Sequence, residues 1–201
     1  MNDTGQSGIL RRLDSLRYIS DEGEMKKTCA IFWLLALAIS QSAQNSPQPS
    51  MDAIKKLDFL VGEWKGEGWI AFGSGERRTF TQSETIQAKL GGLLLQIEGL
   101  GKSKDPGKEG TIIHNAFAIV SYDEKARQIR WHAYTADGRY VDTELKPVQE
   151  KTVQWSIPTP GHTIRFTMNL SEKDQWLETG EFSPDGNKWM KFFEMKLQRV
   201  K

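Results

Sequence analysis

The chain has almost no sulfur chemistry to offer. Cys29 is its only cysteine, so no intramolecular disulfide can form and a cysteine-based metal site is excluded. Histidine is nearly as scarce, with His114, His132 and His162 in three separate stretches. None belongs to a His-x-His or His-Glu-x-x-His spacing and no acidic EF-hand loop occurs, so no metal is expected. An excess of one charge is missing too. With 27 basic against 26 acidic residues, the chain lacks the basic stripe that gathers nucleic acid or an anionic membrane. There is no nucleophile elbow, and the glycines of residues 62–68 are not followed by the helix that phosphate binding needs, which removes nucleotide cofactors. The apolar run Cys29 to Ile39 is eleven residues long, well short of the roughly 20 that span a membrane. No stretch beyond residue 60 keeps a helical period.

What is present near the start is an export pattern. Met25-Lys26-Lys27, the apolar run and Ser40-Gln41-Ser42-Ala43 have the three parts of a secretory signal peptide. Residues 25–43 are therefore expected to be cleaved, leaving a secreted or periplasmic protein with no membrane association. Residues 1–24, polar and aperiodic, read as a non-native or disordered extension ahead of a true start at Met25. Residues 44–50 read as a polar, proline-containing linker, and 51–201 as the folded domain. Ser50 is placed to cap a short helix whose apolar side carries Ile54 and Leu57.

The domain is organised around Phe59-Leu60-Val61-Gly62-Glu63-Trp64-Lys65-Gly66-Glu67-Gly68-Trp69. In a strand, residues two apart share a face, so Gly62, Trp64, Gly66 and Gly68 face one way and Glu63, Lys65 and Glu67 the other. One large ring among glycines suits a strand bending around an enclosed interior with Trp64 as its plug. About ten strands follow from the alternation, at 62–73, 76–90, 93–101, 112–122, 126–135, 139–147, 151–157, 162–170, 174–183 and 187–199. Asp137-Gly138, Pro160-Gly161 and Asp185-Gly186 supply reversals between them. Short links make neighbours antiparallel, and this many strands curl and close. The expected fold is all-β, a single antiparallel up-and-down β-barrel with a short N-terminal helix.

Alternation also proposes the interior. Leu95, Ile97, Val153, Trp155, Ile157, Phe166 and Met168 fall on apolar faces. Phe80 shares a face with Gln82, Glu84 and Ile86, and Glu178 shares one with Trp176, Gly180 and Phe182. A carboxylate buried there needs a hydrogen-bonded or charged partner, or stays protonated. Such a pair could do acid–base work, although a salt bridge or a rim contact is the commoner role. On 126–135 two readings stand: Trp131 faces in and Arg130, His132 and Tyr134 are solvated, or the polar set faces in and His132 and Tyr134 hold a ligand carboxylate. Periodicity favours the first. The tryptophans could stack on a flat ligand, but core filling is their ordinary role. The ligand-site candidates are thus Phe80, Glu84, Leu95, His132, Tyr134, Trp155, Phe166, Met168 and Glu178, with no catalytic constellation among them.

Gly62-x-Trp64 at the start of the first strand, with Arg199 at the end of the last, resembles the lipocalin and fatty-acid-binding barrels, the calycins. The longer Phe59-Leu60-x-Gly62-x-Trp64-x-Gly66-x-Gly68 also looks like the opening of nitrobindin, a ten-stranded haem barrel. Over residues 51–201 the order of features, from the glycine strand through Leu90-Gly91-Gly92, Ser121-Tyr122-Asp123 and Asp185-Gly186 to Arg199, is most similar to uncharacterised secreted bacterial lipocalin-like proteins. The resemblance implies that Arg199 packs across Trp64 and, with Gly62, Gly66 and Gly68, closes the barrel. Nitrobindin holds its haem iron through a histidine near the C-terminus. The last strand here has none and offers only Met190 and Met195, so neither haem nor another cofactor is expected. These features lead to a secreted barrel for a small, mainly hydrophobic ligand. An enzyme using a buried polar cluster and a filled structural or partner-binding barrel remain the alternatives.

Overall fold

Pro47 opens helix α1 (Gln48–Lys55), and Pro49 sits in its first turn, where a missing N–H removes no helical bond. Ser50 is not the cap. It lies inside the helix and its hydroxyl donates to Glu124 Oε1 at 2.7 Å, so the linker expected over 44–50 gives way to helix from Gln48. A 3-10 turn (Asp58–Leu60) follows, and Ile54, Leu57 and Leu60 are buried. The computed structural model describes residues 47–71, 73 and 75–201. The signal-like segment and the extension before it lie outside the described residues.

Eleven strands follow: β1 (Gly62–Ile70), β2 (Arg78–Lys89), β3 (Leu94–Ser103), β4 (Ile112–Asp123), β5 (Gln128–Thr135), β6 (Tyr140–Glu144), β7 (Lys146–Gln149), β8 (Thr152–Thr159), β9 (His162–Asn169), β10 (Gln175–Ser183) and β11 (Met190–Arg199). They form one antiparallel sheet in the order β6-β5-β4-β3-β2-β1-β11-β10-β9-β8-β7. The single strand expected over 139–147 is divided at Leu145. Its first half pairs with β5 and its second with β8, so the two edges of the sheet are consecutive in the chain. Thr143 Oγ1 donates to the Ser156 carbonyl across the seam at 2.8 Å. The result is a nearly closed barrel, because a bent strand shared between two neighbours leaves little free edge.

One end is packed. Ile86, Leu95, Val120, Val153, Met168, Trp176 and Leu197 point inward there, and Ile54, Leu57, Leu60 and Leu145 cover them. Trp64 is 1% exposed at this base; its indole N–H donates to the Leu60 carbonyl at 2.9 Å and its ring meets Trp176 edge-on at 5.7 Å. Trp64 and Arg199 are direct partners across the β1–β11 ladder. The guanidinium lies over the Trp64 ring at 4.0 Å, donates to the carbonyls of Val61 and, at 2.9 Å, Phe59, and reaches Asp174 Oδ1 at 3.2 Å. It occupies the space a side chain on Gly62 would need, and Gly62 also holds φ at 145°. Gly62, Trp64 and Arg199 thus meet at the base of the barrel.

Arg199→Ala removes the cation over the ring and leaves two carbonyls of the base without their donor. The expected loss is about 2 to 3 kcal/mol of unfolding free energy, measured by urea denaturation. Arg199→Lys should recover only part, since an ammonium cannot bond two diverging carbonyls while lying flat on an indole. A midpoint unchanged by Arg199→Ala would show that the clasp is ornamental.

Candidate functional site

The opposite end is less tightly covered. Along β9, β10 and β11 the inward residues change from fully buried Met168, Trp176 and Leu197 at the base to half-buried Ile164, Phe166, Phe182 and Phe193 towards the rim. Trp155 and Ile157 on β8 are half-buried as well. Three of these rings join Phe80 and Trp131 in a continuous arc. Phe80 stacks on Phe193 at 5.8 Å, Phe193 meets Phe166 edge-on at 5.8 Å, Phe166 stacks on Trp155 at 4.3 Å, and Trp155 stacks on Trp131 across the seam at 5.5 Å. At the rim His162 tilts against Phe182 at 5.1 Å.

Between this arc and the packed base lies a polar layer. Gln82, Glu84 and Glu178 all face inward and are 6%, 8% and 7% exposed. Gln82 donates from Nε2 to Glu84 Oε1 at 2.6 Å. The Glu84 carboxyl fills the space over Gly99, where a Cβ would lie 2.7 Å from Oε1, and the Gln82 amide does the same over Gly101, at 2.5 Å. A side chain at either of these two points of β3 would push the β2 side chains off the strand they lie across. Gly66 and Gly68 admit the β11 backbone and the Phe80 ring.

Burial, the largest cause for both, pushes the two carboxyls up to about 8, against an ordinary carboxylate value of 4.5. The Gln82 hydrogen bond pulls Glu84 back slightly, whereas the neighbouring Glu84 charge raises Glu178 further. The Trp176 indole N–H lies near enough to Glu178 to favour its charged form a little. We count that N–H as unpaired all the same, because it meets no acceptor with hydrogen-bond geometry. Trp131 and Trp155 likewise keep buried indole N–H groups with no partner among the described residues.

Of the residues proposed from sequence, Phe80, Glu84, Trp155, Phe166 and Glu178 come together here. Leu95 and Met168 point inward but belong to the packed base. His132 and Tyr134 do not line the interior. Trp131 of the same strand is buried, Tyr134 is 52% exposed and stacks on Tyr140 at 4.8 Å, and His132 Nδ1 lies 3.4 Å from the Tyr140 hydroxyl. The outer face also takes Arg130, which pairs with Asp142. A polar triplet at alternate positions is what a solvated strand face produces, so the reading with Trp131 inside is the one the fold adopts. Sequence reasoning passed over Gln82, Gly99 and Gly101 as site elements. The signal was there in Gly99-x-Gly101, a pair of small residues beside a strand bearing inward polar groups.

Two surface grooves of about 310 and 340 Å³ lie elsewhere. Glu67, Lys104 and Lys196 in the first and Asp52, Lys56 and Arg127 in the second are exposed. Neither gathers ionisable groups out of water as the interior does. Among the described residues no cluster of three or more His, Cys, Asp or Glu side chains is arranged to hold a metal ion.

Two solved structures share this architecture. Rv2717c from M. tuberculosis superimposes with a TM-score of 0.57 at 12% identity, covering 74% of this chain and 98% of its own. The S-type phycobiliprotein lyase CPES from Guillardia theta gives a TM-score of 0.52 at 10% identity, covering 76% of this chain and 93% of its own. At such identities the likeness extends to the fold and no further. No protein-family model and no curated protein matches the chain.

Proposed function

We propose that the protein is a binding barrel for a small, mainly hydrophobic molecule that enters at the end opposite the packed base, lies along the aromatic arc and reaches the polar layer beneath it. The observation that carries this reading is the company kept by Glu84 and Glu178. Two inward carboxyls and three indole N–H groups share a barrel interior with one amide among them as a hydrogen-bond partner. A barrel filled only for stability has no use for such groups, since each unpaired buried donor or acceptor costs about 1 to 3 kcal/mol. Export is part of the same proposal, supported by the Lys26 to Ala43 pattern. The fold likeness to a protein named as a lyase leaves room for a second reading, in which the carboxyl pair performs acid–base chemistry. What favours it is that both groups hold their protons to about 8, the range in which a carboxylic acid can give up a proton near neutral pH.

Titration with the neutral fluorophore N-phenyl-1-naphthylamine tests the proposal. Its emission is expected to rise and shift to the blue on mixing, and Phe166→Ala to weaken the binding at least fivefold. Native mass spectrometry of protein from its own host is expected to show a bound small molecule. No emission change together with a bare mass would mean a packed interior and sink the binding reading.

A further inference from the structure

We infer that the ligand is an organic cation, a protonated amine on a flat apolar body, whose charge is seated between Glu84 and Glu178. The inference rests on the binding proposal and narrows it to a chemical class. It starts from an imbalance of charge. Among the described residues, the strands packed around the two acids present no cation to them: β1 offers Trp64, Gly66 and Gly68, β3 offers Gly99 and Gly101, β9 offers Phe166 and Met168, and β11 offers Met195 and Leu197. Arg199 is the nearest inward base along the chain register, opposite Trp64, which is itself opposite Glu84. Its guanidinium is already engaged by the Trp64 face, two carbonyls and Asp174. His114 lies beside Gly101 on the same face, but burial and then the Arg139 charge hold its pKa below the ordinary imidazole value, which favours the neutral ring; His162 belongs to the rim end of β9.

Two buried acids without a countercharge can be satisfied by a ligand that brings one. Ionised together they repel each other, and a cation between them removes that repulsion. Once Glu178 carries charge, the unpaired Trp176 N–H beside it gains a strong acceptor. The arc above the acids supplies ring faces, which attract a cation and stack on a flat body. Burial raises both acids to about 8, so near neutral pH they favour their protonated forms. Seating the cation therefore converts a carboxylic acid to a carboxylate, and the displaced proton leaves to solvent.

Three probes that share one ring separate charge from shape: tryptamine, 3-methylindole and indole-3-acetate. At pH 7 tryptamine is expected to bind at least tenfold more tightly than either of the others. Calorimetry in phosphate and in Tris should show roughly one proton released per tryptamine bound. Glu178→Gln is expected to abolish both the preference and the proton release while N-phenyl-1-naphthylamine still binds, and Glu84→Gln to reduce both. If Glu178→Gln does not fold, Glu84→Gln carries the comparison. Equal or tighter binding of indole-3-acetate, a preference that survives in both variants, or binding without proton release would overturn the inference. In those outcomes the neutral fluorophore still binds and only the ligand class is wrong. Failure of every probe, the fluorophore included, would bring down the binding proposal and the inference with it.

Discussion

Trp64→Ala is expected to lower the unfolding free energy by about 4 to 5 kcal/mol, the upper part of the range for deleting a large buried ring. Three losses combine at this position. The indole is 1% exposed and fills the base between Trp176 and Arg199, so its removal leaves a cavity the barrel cannot collapse into without shifting strands. The Leu60 carbonyl loses its donor, and the Arg199 guanidinium loses the face it rests on. Trp64→Phe keeps much of the volume but not the N–H, and should cost about 2 kcal/mol. In a double-mutant cycle with Arg199→Ala the two losses should fall short of additive by about 1 kcal/mol, because the ring and the cation share one contact. Urea denaturation of the wild type, the three single variants and the double variant measures all of this. A loss below about 1.5 kcal/mol for Trp64→Ala would mean that closure of the barrel base does not depend on the ring.

The second large effect is a dependence on pH. Glu84 and Glu178 hold their protons to about 8 when folded and release them near 4.5 when unfolded. Below 4.5 both states are protonated and the pair costs nothing. Between 4.5 and 8 the folded chain binds more protons than the unfolded one, so unfolding releases protons and stability falls as pH rises. The slope is about 1.4 kcal/mol per pH unit for each carboxyl that stays protonated. Above 8 the folded state ionises as well and the curve flattens. Relative to the Glu84→Gln, Glu178→Gln double variant, the wild type should lose several kcal/mol of stability between pH 5 and pH 8. Urea midpoints of the two proteins across that interval provide the measurement. Parallel curves would show that the carboxyls ionise freely and are not held in a dry interior.

Much of the barrel is legible without coordinates, for a local reason. A strand puts alternate residues on opposite faces whatever its neighbours do, so Trp64 against Lys65, Trp155 against Gln154 and Phe166 against Arg165 assign inside and outside from spacing alone. Gly138 and Gly186 adopt φ of 85° and 77° at hairpin reversals, where Asp-Gly pairs announce them. The pairing of β1 with β11 is legible because an up-and-down sheet that closes must bring its first and last strands together, while the packing of Arg199 on Trp64 is what the resemblance to lipocalin-like barrels implied. His132 shows where the rule needs help. Its strand has rings and polar groups on both faces, and burial of Trp131 decides between them.

The sequence by itself determined most of the strands, their faces and the hairpin order, since each follows from period two and from turn chemistry over a few residues. Tertiary structure alone decided that residues 140–149 divide at Leu145 to meet both β5 and β8, because a bend in one strand depends on how far the sheet has curled. It also decided that Glu84 and Glu178 become electrostatic neighbours in a layer with Gln82, roofed by an arc of five rings. Those groups come from strands far apart in the chain, and only the curvature of the closed sheet carries their inward faces to one place.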